Sequence, residues 1–276
     1  MVDIAGDQGA LRLGVFVLVC AVLAVWEVAW PRRDDVHRPK RWPVNVSLAL
    51  VNAVIVRVLA PASGVTFALL AADRGLGLLR MVTLPAMLEW VIAILALDAA
   101  VYIQHRLFHA LPWLWRLHRL HHADRGFDFT TGVRFHPGEI AISTLYKGAW
   151  IVALGASPEA TLIFEIILST GSLFSHANAR VPGDRLWRLA LVTPDMHRVH
   201  HSVLRHETDS NFGFNLPWWD RLFGTYRAQP QAGHEGMTIG IEQFRDPREL
   251  RLGRMLLQPF RDDDDSYPLC RREPAA

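Results

Sequence analysis

Long apolar runs separated by short polar stretches dominate the chain. The run "LRLGVFVLVCAVLAVWEVAW" (11–30) has about twenty residues, enough to cross a hydrocarbon core of about 30 Å. A second run, 44–60, continues into 64–72, and a third, 84–104, leads straight into a group of histidines. Two more, 140–156 and 159–174, are separated by little more than a Ser-Pro step and read as a hairpin. The pattern predicts an all-α fold, an integral membrane helical bundle of about four to five spans or re-entrant segments. Glu27, Arg57, Glu89, Asp98 and Glu165 interrupt the runs, and such residues face a bundle interior or a cavity rather than lipid. The first run is preceded by acidic residues (Asp3, Asp7) and carries no small-residue cleavage site, so it reads as a retained span and not a signal peptide.

Composition narrows the chemistry. Hydrophobic residues make up 51% of the 276, and the formal charge of +2 is too small to argue for a nucleic-acid partner. Mean hydropathy is +0.15. The two cysteines, Cys20 and Cys270, form no CxxC pair, so any metal must be held by nitrogen or oxygen ligands. Segment 31–42 holds Arg32, Arg33, Arg38, Lys40 and Arg41, which the positive-inside rule assigns to the cytoplasm. Counting crossings from there puts every histidine cluster and the C-terminus on the cytoplasmic side of the membrane. The expected location is a bacterial inner membrane or an ER-like membrane. The segment from 229 onward is polar, with four aspartates within "RDDDDSY" (261–267), and is expected to be a flexible solvated tail.

Three histidine clusters carry the chemistry. His105 and His109 continue the third apolar run as HxxxH. His118, His121 and His122 form HxxHH, and His197, His200 and His201 form a second HxxHH in "PDMHRVHHS" (194–202). Spacings of three and four put each set on one helical face. A lone histidine is usually a solvated or core residue, but eight in this order are too many for one ion. Two neighbouring transition metals are the natural reading; zinc, iron, copper and nickel all suit imidazole. Asp98, seven residues before His105, is placed to fix a ligand's tautomer from beneath. The bland alternative is an aspartate that merely hydrates a helix end.

The ordered HxxxH–HxxHH–HxxHH set among membrane spans resembles the fatty acid hydroxylase/sterol desaturase superfamily. The resemblance covers roughly 94–228 and includes "RFHPGE" (134–139), "SHAN" (175–178) and "NFGFNLPWWDRLFGTYR" (211–227). Some fatty acid 2-hydroxylases carry a further histidine where this chain has Arg180, so the pattern is closer to the sterol-desaturase-like members. The resemblance implies three regions: N-terminal spans and a basic loop (1–93), a catalytic domain (94–228) with a cytoplasmic histidine-rich cap, and the tail (229–276). It makes His176 a ninth metal ligand, and Asp98 and Glu139 are expected to be catalytic residues. His136, before Pro137, is biased toward extended backbone and with Glu139 is expected to brace a ligand instead of binding metal.

The implied function is a non-haem di-iron oxygenase that hydroxylates or desaturates an aliphatic carbon of a sterol, hopanoid, fatty acyl or related lipid. It would use dioxygen and electrons from a separate electron-transfer protein, because no nucleotide-binding signature is present. Iron follows from the chemistry, since C–H oxidation needs a redox metal; zinc can occupy such a site in a purified sample. Two other readings remain open at this point. A zinc-dependent intramembrane lipid hydrolase would use Asp98, Glu139 or Asp195 as base, and a metal transporter would need ligands near the bilayer midplane.

Overall fold

Hydrophobic periodicity is realised as helix throughout, and the described residues contain no strand. The structure is a computed structural model and describes residues 4–35, 38–59 and 63–261. Asp3, the acidic run 262–265, Cys270 and the side chains of Asp7 and Arg57 lie outside the described residues. Seven helices form the body: α1 Ile4–Ala29, α2 Arg38–Leu59, α3 Gly64–Asp73, α4 Ala86–Ala110, α5 Pro112–His122, α6 Pro137–Leu154 and α7 Pro158–Ser175. Within α1 and α4, Gln8–Ala29 and Ala86–Ala110 are long and apolar enough to cross a membrane. The outer flank is apolar as well, with Leu18 63%, Val25 71% and Val54 63% exposed. Together with these two helices, exposed apolar side chains of this size suggest a membrane protein.

Inside this flank, α4 packs on both α6 and α7, as does α3, while α1 lies along α7 and α2 along α6. Leu97, Val101, Ile151 and Phe164 form the centre of that core, with Ala68, Ala93 and Ala160 letting the helices approach closely. The 140–174 hairpin is therefore opened by α3 and α4 lodging against both of its arms. Its turn depends on glycine. Gly155 has φ 68°, and the facing Gly77 has φ 109°. A Cβ on Gly77 would stand 2.1 Å from the Gly155 nitrogen. Helix α7 starts at Ser157, which caps Ala160 N–H and itself donates its N–H and hydroxyl to Glu89 of α4.

The acidic residues that interrupt the apolar runs point inward. Glu27, fully buried, accepts from the N–H groups of Phe129 and Asn178, both at 2.8 Å, tying α1 to two loops of the cap. Glu165 pairs with Arg12 at 2.9 Å and accepts from Gly64 N–H at 3.2 Å.

The cap is built from α5 and from short helices after His176: α8 Asp184–Trp187, α9 Pro194–His200, α10 Arg205–Thr208, α11 Trp218–Leu222, α12 Gly233–Gly236 and α13 Leu252–Leu257. The basic segment before and inside α2 is used internally. Arg41 is fully buried and donates to both oxygens of Asp124 (2.6 and 2.8 Å), to Asp128 (2.6 Å), to Thr131 (3.0 Å) and to Asp35. Burial alone would raise the Asp124 carboxyl, but the charges of Arg41 and Arg134 hold it well below the usual carboxylate range. Arg32 meets Asp195 at 3.2 Å, and Arg33 donates to the Met237 carbonyl.

The segment after 228 differs from the expectation of a flexible tail as far as Arg261. Met237, Ile239 and Ile241 are buried under the cap, and Met255 packs against Leu48 of α2 and Leu120 of α5. The spacing Met237-Ile239-Ile241 is the alternation of an extended segment with one buried side, masked in the sequence by the polar residues around it.

Candidate metal centre

Four elements converge at the end of the bundle. α4 contributes His105 and His109 from its last turns, α5 contributes His118, His121 and His122, the end of α7 contributes His176, and α9 with its C-cap contributes His197, His200 and His201. None of the nine imidazoles is more than 4% exposed. They separate into two sets: His105, His109, His118, His122 and His200; and His121, His176, His197 and His201. Each set can hold a metal ion, its ligand atoms all lying within 4.8 Å of one another. The sets adjoin: the rings of His122 and His201 stack at 4.6 Å, and those of His197 and His200 at 5.0 Å. The two HxxHH motifs each divide between the sets, because neighbouring residues on a helix point about 100° apart.

The nitrogen geometry fits bound metal. Nε2 of His176 lies 3.1–3.2 Å from Nε2 of His121, His197 and His201. In the other set, Nε2 of His105 lies 3.1 Å from Nε2 of both His118 and His200, and His122 approaches His118 at 3.2 Å. One imidazole nitrogen cannot hydrogen-bond to three others at once, whereas ligands of a common ion at about 2.0–2.1 Å sit about 3.3–3.4 Å apart. Nε2 of His109 is buried without a hydrogen-bond partner, as a ligand atom is before its ion is counted.

Electrostatics keeps these rings ready. Burial, reinforced by neighbouring imidazoles, pushes His121, His122, His197 and His201 well below the usual histidine range and His200 down to about 3. At neutral pH their lone pairs are free to bind metal. Four rings have the tautomer fixed from behind, each donating Nδ1–H. His118 donates to Glu139 Oε1 (2.7 Å), His105 to the Phe212 carbonyl (2.8 Å), His200 to the Ser210 carbonyl (2.7 Å) and His176 to the Ser172 carbonyl (2.7 Å). His109 Nδ1 stands 3.5 Å from Asp209.

Two expectations are corrected here. Asp98 braces no histidine: its oxygens accept from Asn215 Nδ2 (2.7 Å) and Trp219 Nε1 (2.8 Å), anchoring the 211–227 segment to α4. Two helical turns separate it from His105, too far for a carboxylate to reach the ring. His136 touches no ligand either. It caps α6, Nδ1 accepting from Gly138 N–H at 3.0 Å, and its Nε2 reaches the Leu256 carbonyl at 3.1 Å. Glu139, one turn into α6, does the bracing alone. The backbone carbonyls of Ser210 and Phe212 have no side-chain signature, and only the position of "NFG" after the last cluster could have pointed to them.

An apolar groove of about 620 Å³ opens between α1, the end of α7 and the 181–191 segment. Trp26 of α1, Phe174 of α7 and Val181, Pro182, Trp187 and Leu191 line it. In sequence, its Phe174 precedes His176 by two residues and its Leu191 precedes α9 by three.

Comparison with known proteins agrees with this geometry. The family model described as fatty acid hydroxylase matches residues 90–225. An ornithine lipid hydroxylase of Rhizobium tropici is 34% identical over 162 residues, covering 57% of this chain and 46% of that protein. Human alkylglycerol monooxygenase is 29% identical over 157 residues, 56% of this chain and 34% of its own length. Rat cholesterol 25-hydroxylase is 24% identical over 166 residues, 57% of this chain and 52% of its own. The chain thus spans about half or less of these relatives. No solved structure gives a significant match. The matched region holds all nine histidines of the two sets together with the Ser210 and Phe212 carbonyls that meet His200 and His105, and the chain belongs to the fatty acid hydroxylase/sterol desaturase superfamily.

Proposed function

We propose that the protein is an integral-membrane, non-haem di-iron oxygenase that hydroxylates or desaturates an aliphatic carbon of a lipid. The observation that carries the reading is the division of nine buried histidines into two adjoining sets with no thiolate among them. Two bound irons would supply the activation of dioxygen that oxidising an unactivated C–H bond requires. The five-histidine and four-histidine sets would hold them. Glu139 keeps the His118 Nδ1 proton in place, and the carbonyls of Phe212, Ser210 and Ser172 do the same for His105, His200 and His176, so every one of these Nε2 atoms faces inward. The apolar groove beside Phe174 suits a hydrocarbon chain.

The reading extends to topology. α1, α2 with α3, α4, α6 and α7 would cross or enter the bilayer, with residues 94–228 as the catalytic domain and 229–261 completing its cap on the cytoplasmic side. Internal pairing of Arg32, Arg33 and Arg41 weakens the positive-inside argument for that orientation, since these charges hold the cap together. Electrons would come from a separate protein. The relatives act on lipids of different kinds and are named hydroxylases and monooxygenases, which favours hydroxylation. The zinc hydrolase reading loses its bases: Asp98 is taken by Asn215 and Trp219, Glu139 by His118, and Asp195 by Arg198 and Arg32.

The test is lipid mass spectrometry of cells expressing the protein or its His200→Ala variant. A lipid gaining one oxygen or losing two hydrogens only with the unaltered protein supports the proposal. A product of hydrolysis alone, or the same product from both, refutes it.

A further inference from the structure

The 211–227 segment contains a residue whose backbone is held in an unusual conformation between two ligand contacts. Asn211 has φ 52°, in the left-handed region that non-glycine residues seldom adopt and asparagine adopts most readily. The carbonyl immediately before it, on Ser210, accepts Nδ1–H of His200 at 2.7 Å. The carbonyl immediately after it, on Phe212, accepts Nδ1–H of His105 at 2.8 Å. Those two imidazoles come from α9 and α4, 95 residues apart in sequence, yet their Nε2 atoms approach to 3.1 Å within the five-histidine set.

We propose that Asn211 is a positioning residue for that set: its left-handed backbone directs two flanking carbonyls onto two ligands from different helices. The side chain holds the conformation. Its Nδ2 donates to the carbonyls of Met196 and Arg227, both at 2.8 Å, and its Oδ1 accepts Arg227 N–H at 2.8 Å. Both amide protons and one oxygen lone pair are thereby used in a fully buried site. Only a carboxamide of this length fits, since a carboxylate would turn its negative oxygens toward two carbonyls. Met196 adjoins His197, so the same amide ties α9 to the segment. Asp220 completes the clamp by accepting the N–H groups of Phe212 and Gly213, each at 2.8 Å. The Phe212 peptide is thus gripped at its N–H and aimed at its oxygen. The four-histidine set receives no such hydrogen bond from this segment, only a ring contact of Phe214 with His197; its carbonyl contact comes from Ser172 within α7.

The inference rests on the two sets holding metal, and the test separates the two claims. The purified full chain, stripped and reloaded with zinc alone, is challenged with a chelator, and release is followed per chain for the unaltered protein and for Asn211→Ala, Asn211→Asp and Asn211→Gly. The unaltered protein should bind two ions; failure to bind any would overturn the metal reading itself. Asn211→Ala and Asn211→Asp should weaken one ion by about 10- to 100-fold, the usual effect of losing a group that orients a metal-bound imidazole, and leave the other unchanged. Asn211→Gly, which adopts positive φ without strain, should recover part of that loss although it lacks the amide. Equal weakening of both ions in Asn211→Ala, or a glycine variant no better than alanine, would reduce Asn211 to ordinary structure. Release from Asn211→Ala indistinguishable from the unaltered protein would remove it from the site.

Discussion

Replacing Arg41 by methionine tests whether the cap is fastened to α2 through buried charge. In the structure Arg41, Asp124 and Asp128 are all fully buried, and the guanidinium donates to both oxygens of Asp124 and one of Asp128. Methionine fills similar space but leaves three carboxylates, those of Asp35, Asp124 and Asp128, without their shared cation. Asp124 would keep Asn45 at 3.2 Å and Thr131 at 3.0 Å, and Asp128 would keep the N–H and hydroxyl of Thr130. Those bonds are neutral and do not replace the charge. Removing one partner of a buried ion pair costs about 3–5 kcal/mol. That lowers the folded-to-unfolded ratio about a hundred- to several-thousand-fold. The loss should be coupled to Asp124: Arg41→Met with Asp124→Asn should be less destabilised than the sum of the single changes. Chemical denaturation in detergent at fixed metal loading gives the numbers. Because Asp124 follows His122 by two residues, metal affinity should fall with stability. A stability change under about 1 kcal/mol in Arg41→Met, or simple additivity in the double variant, would refute the reasoning.

Further outcomes follow from the same contacts. Glu139→Gln keeps an acceptor for His118 and should retain most metal with weakened turnover, while Glu139→Ala should lower metal affinity by about 10- to 100-fold in a chelator challenge. His176→Ala should release the ion of the four-histidine set, whereas His136→Ala should retain both ions and only lower the melting temperature, because His136 caps α6 and touches no ligand; elemental analysis distinguishes them. Gly77→Ala should fold poorly, since its Cβ would meet the Gly155 backbone at 2.1 Å, and its yield in membranes should drop well below that of Gly75→Ala, whose Cβ meets nothing.

The histidines were legible in the sequence because metal ligation demands one residue type at helical spacing, and the helices because lipid demands continuous apolar runs. What escaped was whatever depends on distant pairing. Asp98 looked like a histidine brace from its position on α4, but Asn215 and Trp219, 117 and 121 residues away, claim it. Arg41 read as a topology signal because a buried arginine and a solvated one are spelled alike, and its partners lie 83 and 87 residues on. The contacts to His105 and His200 come from peptide carbonyls, which every residue has, so only the turn-forming Asn211 hinted at them. Residues 229–261 looked polar because the few apolar side chains they bury are spread thinly among charged ones.

Isotopic labelling tests the central claim most directly. Membranes containing the protein, its lipids and a reductant would be incubated under heavy-isotope dioxygen, and the lipid product analysed by mass spectrometry. The account predicts a hydroxylated lipid carrying the heavy oxygen, or a desaturated one formed only when dioxygen is present, and neither from His200→Ala. A product that forms equally without dioxygen, or that takes its new oxygen from water, would contradict it.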